Sequence, residues 1–391
     1  MRLATLVFLS LTVAGLVVMS DLATAQQHWV AQLFRGLEPD ADLVQVAQTT
    51  PPRRFSRGGL PSPEKANSGT VTVITAPVGG AFAAMGSDMV RVLDDGDNLR
   101  VLPIIGKGSV QNLVDIMVLR SVDMGFVVSD ALEFVRKEYN VPDIEKRVAY
   151  IVKLFNNDLH IIARKDIRTV RDLAGKKIMS ERNLGYFTVR TVFDRLNIAA
   201  DVDFKTDDAG GLQKFLSGSA DAWIVSAGKV APIIRNIQNA EGKFHFVSVP
   251  YENSLNDIYL PSVLTSAEYP NLVAPGQDVD TIASSTLLMV YNWPPGTERY
   301  NRVAKFIDAL FSKIEQFREP SRHPKWRDTN LVTSVAGWQR FKAAEEWLSR
   351  HRAPINATTQ PMENPSNAGT SRTEEEALFS QFLKWQKDQG R

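Results

Sequence analysis

The stretch Val71-Thr72-Val73-Ile74-Thr75-Ala76-Pro77-Val78-Gly79-Gly80-Ala81-Phe82 decides the fold. Its β-branched start reads as a short buried strand, and the proline and paired glycines as a turn. Phe82, Met85, Met89 and Val90 then recur at helical spacing. The same phrase repeats, with residues 99–105 as a strand, 110–119 as a helix and 124–128 as a third strand. Such alternation predicts parallel strands joined by helical crossovers. After a strand over residues 159–163 the pattern restarts, with a helical turn at 170–173, a strand at 176–179, a helix at 188–196 and a strand at 222–225. Residues 282–291 form a long apolar run. An amphipathic helix follows over 300–317, with Val303, Phe306, Ile307, Leu310 and Ile314 on one face.

Two alternating units in succession predict an α/β fold of two lobes with a hinge and a cleft between them. The first lobe takes residues 70–162, the second 163–281, and residues 282–352 return to the first. Chain crossings between lobes make a hinge, and hinges close around ligands.

Ahead of this body, Arg2, an apolar run over residues 3–19 and Ala23-Thr24-Ala25 have the order of an export signal. This predicts cleavage after Ala25 and a protein outside the cytoplasm, with an uncleaved signal anchor as the alternative. Residues 26–69, with Pro51-Pro52-Arg53-Arg54 and Pro61-Ser62-Pro63, read as a flexible tether. Residues 353–391 read as a linker and a terminal helix carrying Leu378, Phe379, Phe382 and Trp385 on one side. That stripe packs on its own protein or docks a partner.

Composition excludes several chemistries. Of 391 residues, 45 are Lys or Arg and 44 are Asp or Glu, a balance unlike that of a nucleic-acid binder. The chain has no cysteine, hence no disulfide, thiolate metal site or cysteine nucleophile. Five histidines are scattered without paired spacing, and neither a nucleophile elbow nor a phosphate loop occurs. Gly106-Lys107-Gly108 lacks the third dinucleotide glycine. Asp207-Asp208 and Glu345-Glu346 are adjacent acids whose side chains diverge towards solvent. The reading is of a non-enzyme without a cofactor or metal.

Ligands of α/β sheets sit beyond the carboxyl ends of strands, where turns lead into helices. Four such places stand out. The first holds Val78, Gly79, Gly80 and Phe82, and the second holds Ser109, read as a helix N-cap, with Val110. The third is Ser129-Asp130, polar residues straight after an apolar strand. The fourth lies in the second lobe, with Asn183, Gly185, Tyr186, Phe187 and Thr188 at one turn and Ala227-Gly228 at another. Tyr186 and Phe187 could stack on a ligand or wall it off. Trp223 reads as core.

At these residues the chain resembles the TAXI family, the solute-binding subunits of tripartite ATP-independent periplasmic (TRAP) transporters. The resemblance runs from about Val71 to Leu348. It rests on Gly79-Gly80-Ala81-Phe82-Ala83-Ala84-Met85-Gly86, on Gly106 to Leu113, on Ser121 to Asp130, on Val170 to Lys177, on Gly218 to Gly228, on Ala231 to Ile234 and on Asp278 to Thr281. It implies a type II periplasmic binding-protein fold in which two lobes clamp a small solute, commonly an amino acid or organic carboxylate. The implied location is periplasmic, and the implied partners are the membrane permease subunits of a secondary transporter. Ala76 and Pro77 stand where the family has glycines, and Phe82 and Ala83 where it has tyrosines. Fewer hydroxyls in the first turn mean fewer polar anchors. A sensor or adaptor that docks a membrane partner is the alternative reading.

Overall fold

The computed structural model describes residues 62–351, apart from residues 97, 182–184, 240 and 241. The export signal, nearly all of the tether, Asn183 and the terminal linker and helix lie outside the described residues. Among the described residues no helix is long and apolar enough to cross a membrane.

The expected alternation is present. The first lobe begins β1 (Thr70–Ile74), α1 (Ala81–Leu93), β2 (Arg100–Ile104), α2 (Ser109–Val118), β3 (Met124–Val128) and α3 (Asp130–Glu138). β1 pairs in parallel with β2 and with β3, as helical crossovers require. A short helix, α4 (Ile144–Arg147), leads into β4 (Val148–Arg164). The second lobe follows with β5 (Lys177–Ser180), α5 (Gly185–Leu196), β6 (Asp201–Asp203), α6 (Asp208–Leu216) and β7 (Ala222–Ala227). Its strand β5 runs parallel to both β6 and β7. After α7 (Pro232–Arg235), β8 (Phe244–Phe246) and β9 (Leu260–Thr265), the chain crosses back along β10 (Asp278–Tyr291).

Two long antiparallel strands carry the connection. β4 has 17 residues and β10 has 14, and they pair from Val148↔Tyr291 to Asp158↔Ala283. The far half of β4 pairs with β7, and the near half of β10 pairs with β9. The strand order is therefore β2-β1-β3-β10-β4-β7-β5-β6, with β10 and β4 shared by both lobes. Reading the sequence locally places a strand only over residues 159–163; the structure extends it back to Val148. Lys153, Asn156, Asn157 and Asp158 interrupt the apolar pattern, and two of them, Asn157 and Asp158, meet polar partners on other strands. Asn157 Nδ2 donates to Thr286 Oγ1 at 2.7 Å, and Ser262 Oγ donates to Asp158 at 2.5 Å.

Alternation of side chains across a strand gives the second lobe two cores. Ile161 and Ile224 enter one with Val189, Val192 and Ile282. Their neighbours Ile162 and Trp223 enter the other with Phe215 and Phe246. The first lobe has one large core, in which Met85, Phe126 and Phe306 are all fully buried. Val303, Phe306, Ile307 and Leu310 belong to α8 (Glu298–Ser312), the amphipathic helix expected from its spacing. It stops at Lys313, whose φ of −105° and ψ of 15° leave the helical region, and a separate turn, α9 (Ile314–Phe317), completes the stripe. Buried Asp88 of α1 accepts from Trp326 Nε1 at 3.1 Å and from the His323 N–H at 2.8 Å, tying the late segment to the first lobe. The last described helix is α10 (Lys342–His351).

Candidate ligand-binding site

The strand tips of the first lobe are held by one amide. Asn112 of α2 donates from Nδ2 to Thr75 O at 2.7 Å and to Phe126 O at 2.8 Å, which ties the ends of β1 and β3 together. Gly106 makes room for it, since a Cβ there would lie 2.3 Å from Asn112 Oδ1 and 2.8 Å from Thr75 O. Around this brace, Val78 is 80% exposed and Gly79 and Gly80 are exposed, with Gly80 in the N-cap position of α1. Phe82 points the other way. It is buried and stacked on Phe126, ring centroids 5.2 Å apart.

Ser109 is not the N-cap of α2; Gly108 holds that position. The serine is one residue further in, fully buried, and its Oγ accepts from the Val128 N–H at 3.0 Å. A backbone N–H at the tip of β3 had no sheet partner there, and the hydroxyl supplies one. Ser129 is likewise spent on structure, because its Oγ accepts from the Ser285 N–H at 3.0 Å and its N–H donates to Ser285 O at 2.8 Å.

Asp130 is where the lobes meet. Its Oδ2 accepts from Thr188 Oγ1 at 2.7 Å and from the Tyr259 hydroxyl at 3.1 Å, both donors belonging to the second lobe. The carboxyl is fully buried, and that burial pushes it up to about 6 against the opposing pull of the two hydroxyls. Phe187, one residue before Thr188, is fully buried in the core of the first lobe, its ring centroid 6.3 Å from that of Phe134. Tyr186 lies beside it, edge-on to Phe134 at 5.4 Å and to Phe204 at 4.8 Å. The first turn of α5 thus fills the space between the strand tips with the protein's own side chains. It starts close in, for a Cβ on Gly185 would stand 2.4 Å from Ser180 Oγ.

Of the sequence candidates, the structure brings together Asp130 with Thr188, and Val110 with Tyr186 and Phe187 along a groove of about 480 Å³. Lys107, Gly108 and Phe134 are among the other residues that line that groove. It does not bring Ala227 and Gly228 there. They lie at the hinge, where a Cβ on Gly228 would be 2.7 Å from Lys325 Cε and 3.4 Å from Asn156 O. Asp208 also departs from expectation, since it is only partly exposed and burial with the nearby Glu181 charge pushes its carboxyl up to about 7. His160 is buried against Tyr269 at 2.8 Å and held down to about 3 by burial, so it stays neutral.

Sequence reasoning missed Tyr259 and Lys153. Nothing local marks Tyr259, which follows the mixed stretch Glu252-Asn253-Ser254-Leu255-Asn256-Asp257-Ile258. Lys153 did carry a signal, as a single charge inside the otherwise apolar start of β4.

No protein-family profile matches the chain, and no curated protein matches it either. Among solved structures it is similar to the GluR0 ligand-binding core from Nostoc punctiforme in complex with L-glutamate (TM-score 0.40, 17% identity, 66% of this chain and 99% of that one). It is similar also to a TctC solute-binding protein from Polaromonas (TM-score 0.38, 14% identity, 63% and 88%). Holo ArgBP from T. maritima is a third (TM-score 0.37, 13% identity, 64% and 93%). In this chain, two lobes, two shared crossing strands and a late return to the first lobe make up the type II arrangement that the family resemblance implies.

Proposed function

We propose that the protein is an exported solute-binding protein that delivers a small anionic solute, an organic carboxylate or amino acid, to a TRAP-type permease. The observation that carries this reading is the meeting of strand tips from two lobes across a two-strand hinge, with Asp130 of one bonded to Thr188 and Tyr259 of the other. Such a body opens and closes by flexing β4 and β10, and closure strengthens polar contacts by excluding water. In the closed arrangement described here, Phe187 and the Asp130 cluster hold the lobes together. A solute delivered by this protein either enters when they part or binds beside them.

The test is a thermal-shift screen of carboxylates and amino acids, in which a bound solute gives a saturable rise in melting temperature. Silence across a broad anionic library overturns the reading.

One observation favours a second reading, a sensor or adaptor. The interlobe contact is filled by Phe187 and Thr188 rather than left polar and open. Under that reading the library is silent, while the full-length chain pulls down a membrane partner and a chain lacking residues 353–391 does not.

A further inference from the structure

A second cavity, of about 270 Å³, lies along a different face of α3 from the groove at Val110 and Phe187. Both lobes build it. Ser129, Glu133 and Arg136 come from the first, Lys153 and Ser285 from the shared strands, and Tyr259 from the second. The segment 333–338 closes one side.

Its wall carries two acids, Glu133 and Asp257, and two bases, Arg136 and Lys153, but they do not pair one to one. Arg136 is spent on Glu133 at 2.8 Å and Glu145 at 3.3 Å, and Asp257, also in the wall, is spent on Arg195 at 3.1 Å. The Lys153 side chain has no hydrogen bond or ion pair among the described residues. The acid it senses is Asp158, which already takes the Ser262 hydroxyl at 2.5 Å and has Lys229 Nζ at 4.0 Å. Burial accordingly holds the Lys153 ammonium below the ordinary lysine range. A half-buried ammonium without a counter-charge is costly unless something supplies one. Ser129 Oγ already accepts from Ser285 N, so its own hydrogen remains free to donate. Leu132, Val335 and Trp338 offer apolar wall.

We propose that this groove is the solute site, binding a small monocarboxylate whose anionic end pairs with Lys153 and the Ser129 hydroxyl and whose apolar end lies against Leu132 and Trp338. This rests on the solute-binding reading above and names its site and charge class. One unmatched positive charge suits one negative charge, so a monoanion binds better than a dianion. Because residues of both lobes line the groove, its occupant favours the closed arrangement.

Calorimetric titration of the full chain with propionate and succinate, with chloride at equal ionic strength as control, tests it. Propionate binds saturably and more tightly than succinate. The Lys153→Met variant loses roughly tenfold or more in propionate affinity, as removal of a charged hydrogen-bond partner does, while Lys153→Arg keeps most of it. Without ligand, Lys153→Met melts no lower than the parent, since it sheds an unpaired charge; a purely structural lysine would not behave so. Unchanged propionate binding in Lys153→Met, a lower melting temperature of that variant, tighter binding of succinate, or no binding of propionate by the parent each overturns the proposal. Binding of another solute that is indifferent to Lys153 sinks this site alone and leaves the solute-binding reading standing; silence of the whole library sinks both.

Discussion

Burial between the lobes makes the Asp130 carboxyl easier to protonate. Its value of about 6 in the closed fold stands above the ~3.9 of an unfolded or solvated aspartate. A raised acid contributes stability that is fully present below about pH 4 and is lost as pH rises through about 6, amounting to about 3 kcal/mol at neutral pH. The groups that face it are the Thr188 and Tyr259 hydroxyls, with Arg195 behind Tyr259 and committed to Asp257 and Glu133. Melting temperature is therefore expected to fall between about pH 5 and pH 8, and in Asp130→Asn that fall is smaller, the remainder coming from the raised carboxyl of Asp208, whatever the variant's absolute stability. Melts of both proteins at the two pH values check it. Ser129-Asp130 was legible in the sequence as a polar pair after an apolar strand. The partner of Asp130 was less so, because Tyr259 lies 129 residues away and meets it only through the fold. Ser109 was noticed for the right position and the wrong duty: spacing shows a helix start but not which backbone group lacks a partner.

At the scale of elements, α5 is the helix that reaches across. Phe187→Ala removes a fully buried ring from the core of the opposite lobe and is expected to cost about 3–5 kcal/mol, read as a lower denaturation midpoint. Because the ring fastens one lobe to the other, the variant also shows a larger radius of gyration in solution scattering. Gly106→Ala tests the brace at the first lobe's tips. A Cβ there meets Asn112 Oδ1 and Thr75 O, so the amide must move and its two hydrogen bonds weaken, for a loss of about 1–3 kcal/mol. The helices and short strands were readable because their apolar spacing is local. The full length of β4 was not. Its polar middle passes between the lobes, and Asn157 and Asp158 are satisfied by Thr286 and Ser262 on other strands, which no window around residue 157 contains.

For the whole molecule, the forces that join the lobes differ in their response to solvent. The ion pairs across the junction, Lys137–Asp194 at 3.5 Å and Arg195–Glu133 at 4.0 Å, have side chains from 31% to 66% exposed. Pairs of that kind contribute ~0–1 kcal/mol and are screened by salt. Raising the salt concentration is thus expected to move stability by less than about 1 kcal/mol, well under the pH effect, as parallel melts at low and high salt would show. The two-lobed plan was readable because the alternating pattern restarts after residue 163. The filled junction was not, since a phenylalanine behind a glycine turn looks the same whether it faces a guest or the neighbouring core.

The position of β10 also governs how the polypeptide is made. In the sheet it separates β3 from β4, yet in sequence it ends at Tyr291, pairing residues such as Val128 and Thr286 that are far apart along the chain. Until the ribosome has delivered that segment, the two strands that will flank it carry bare hydrogen-bonding edges. Contacts so distant form slowly. The junction between the lobes is therefore expected to form late, once that segment has emerged.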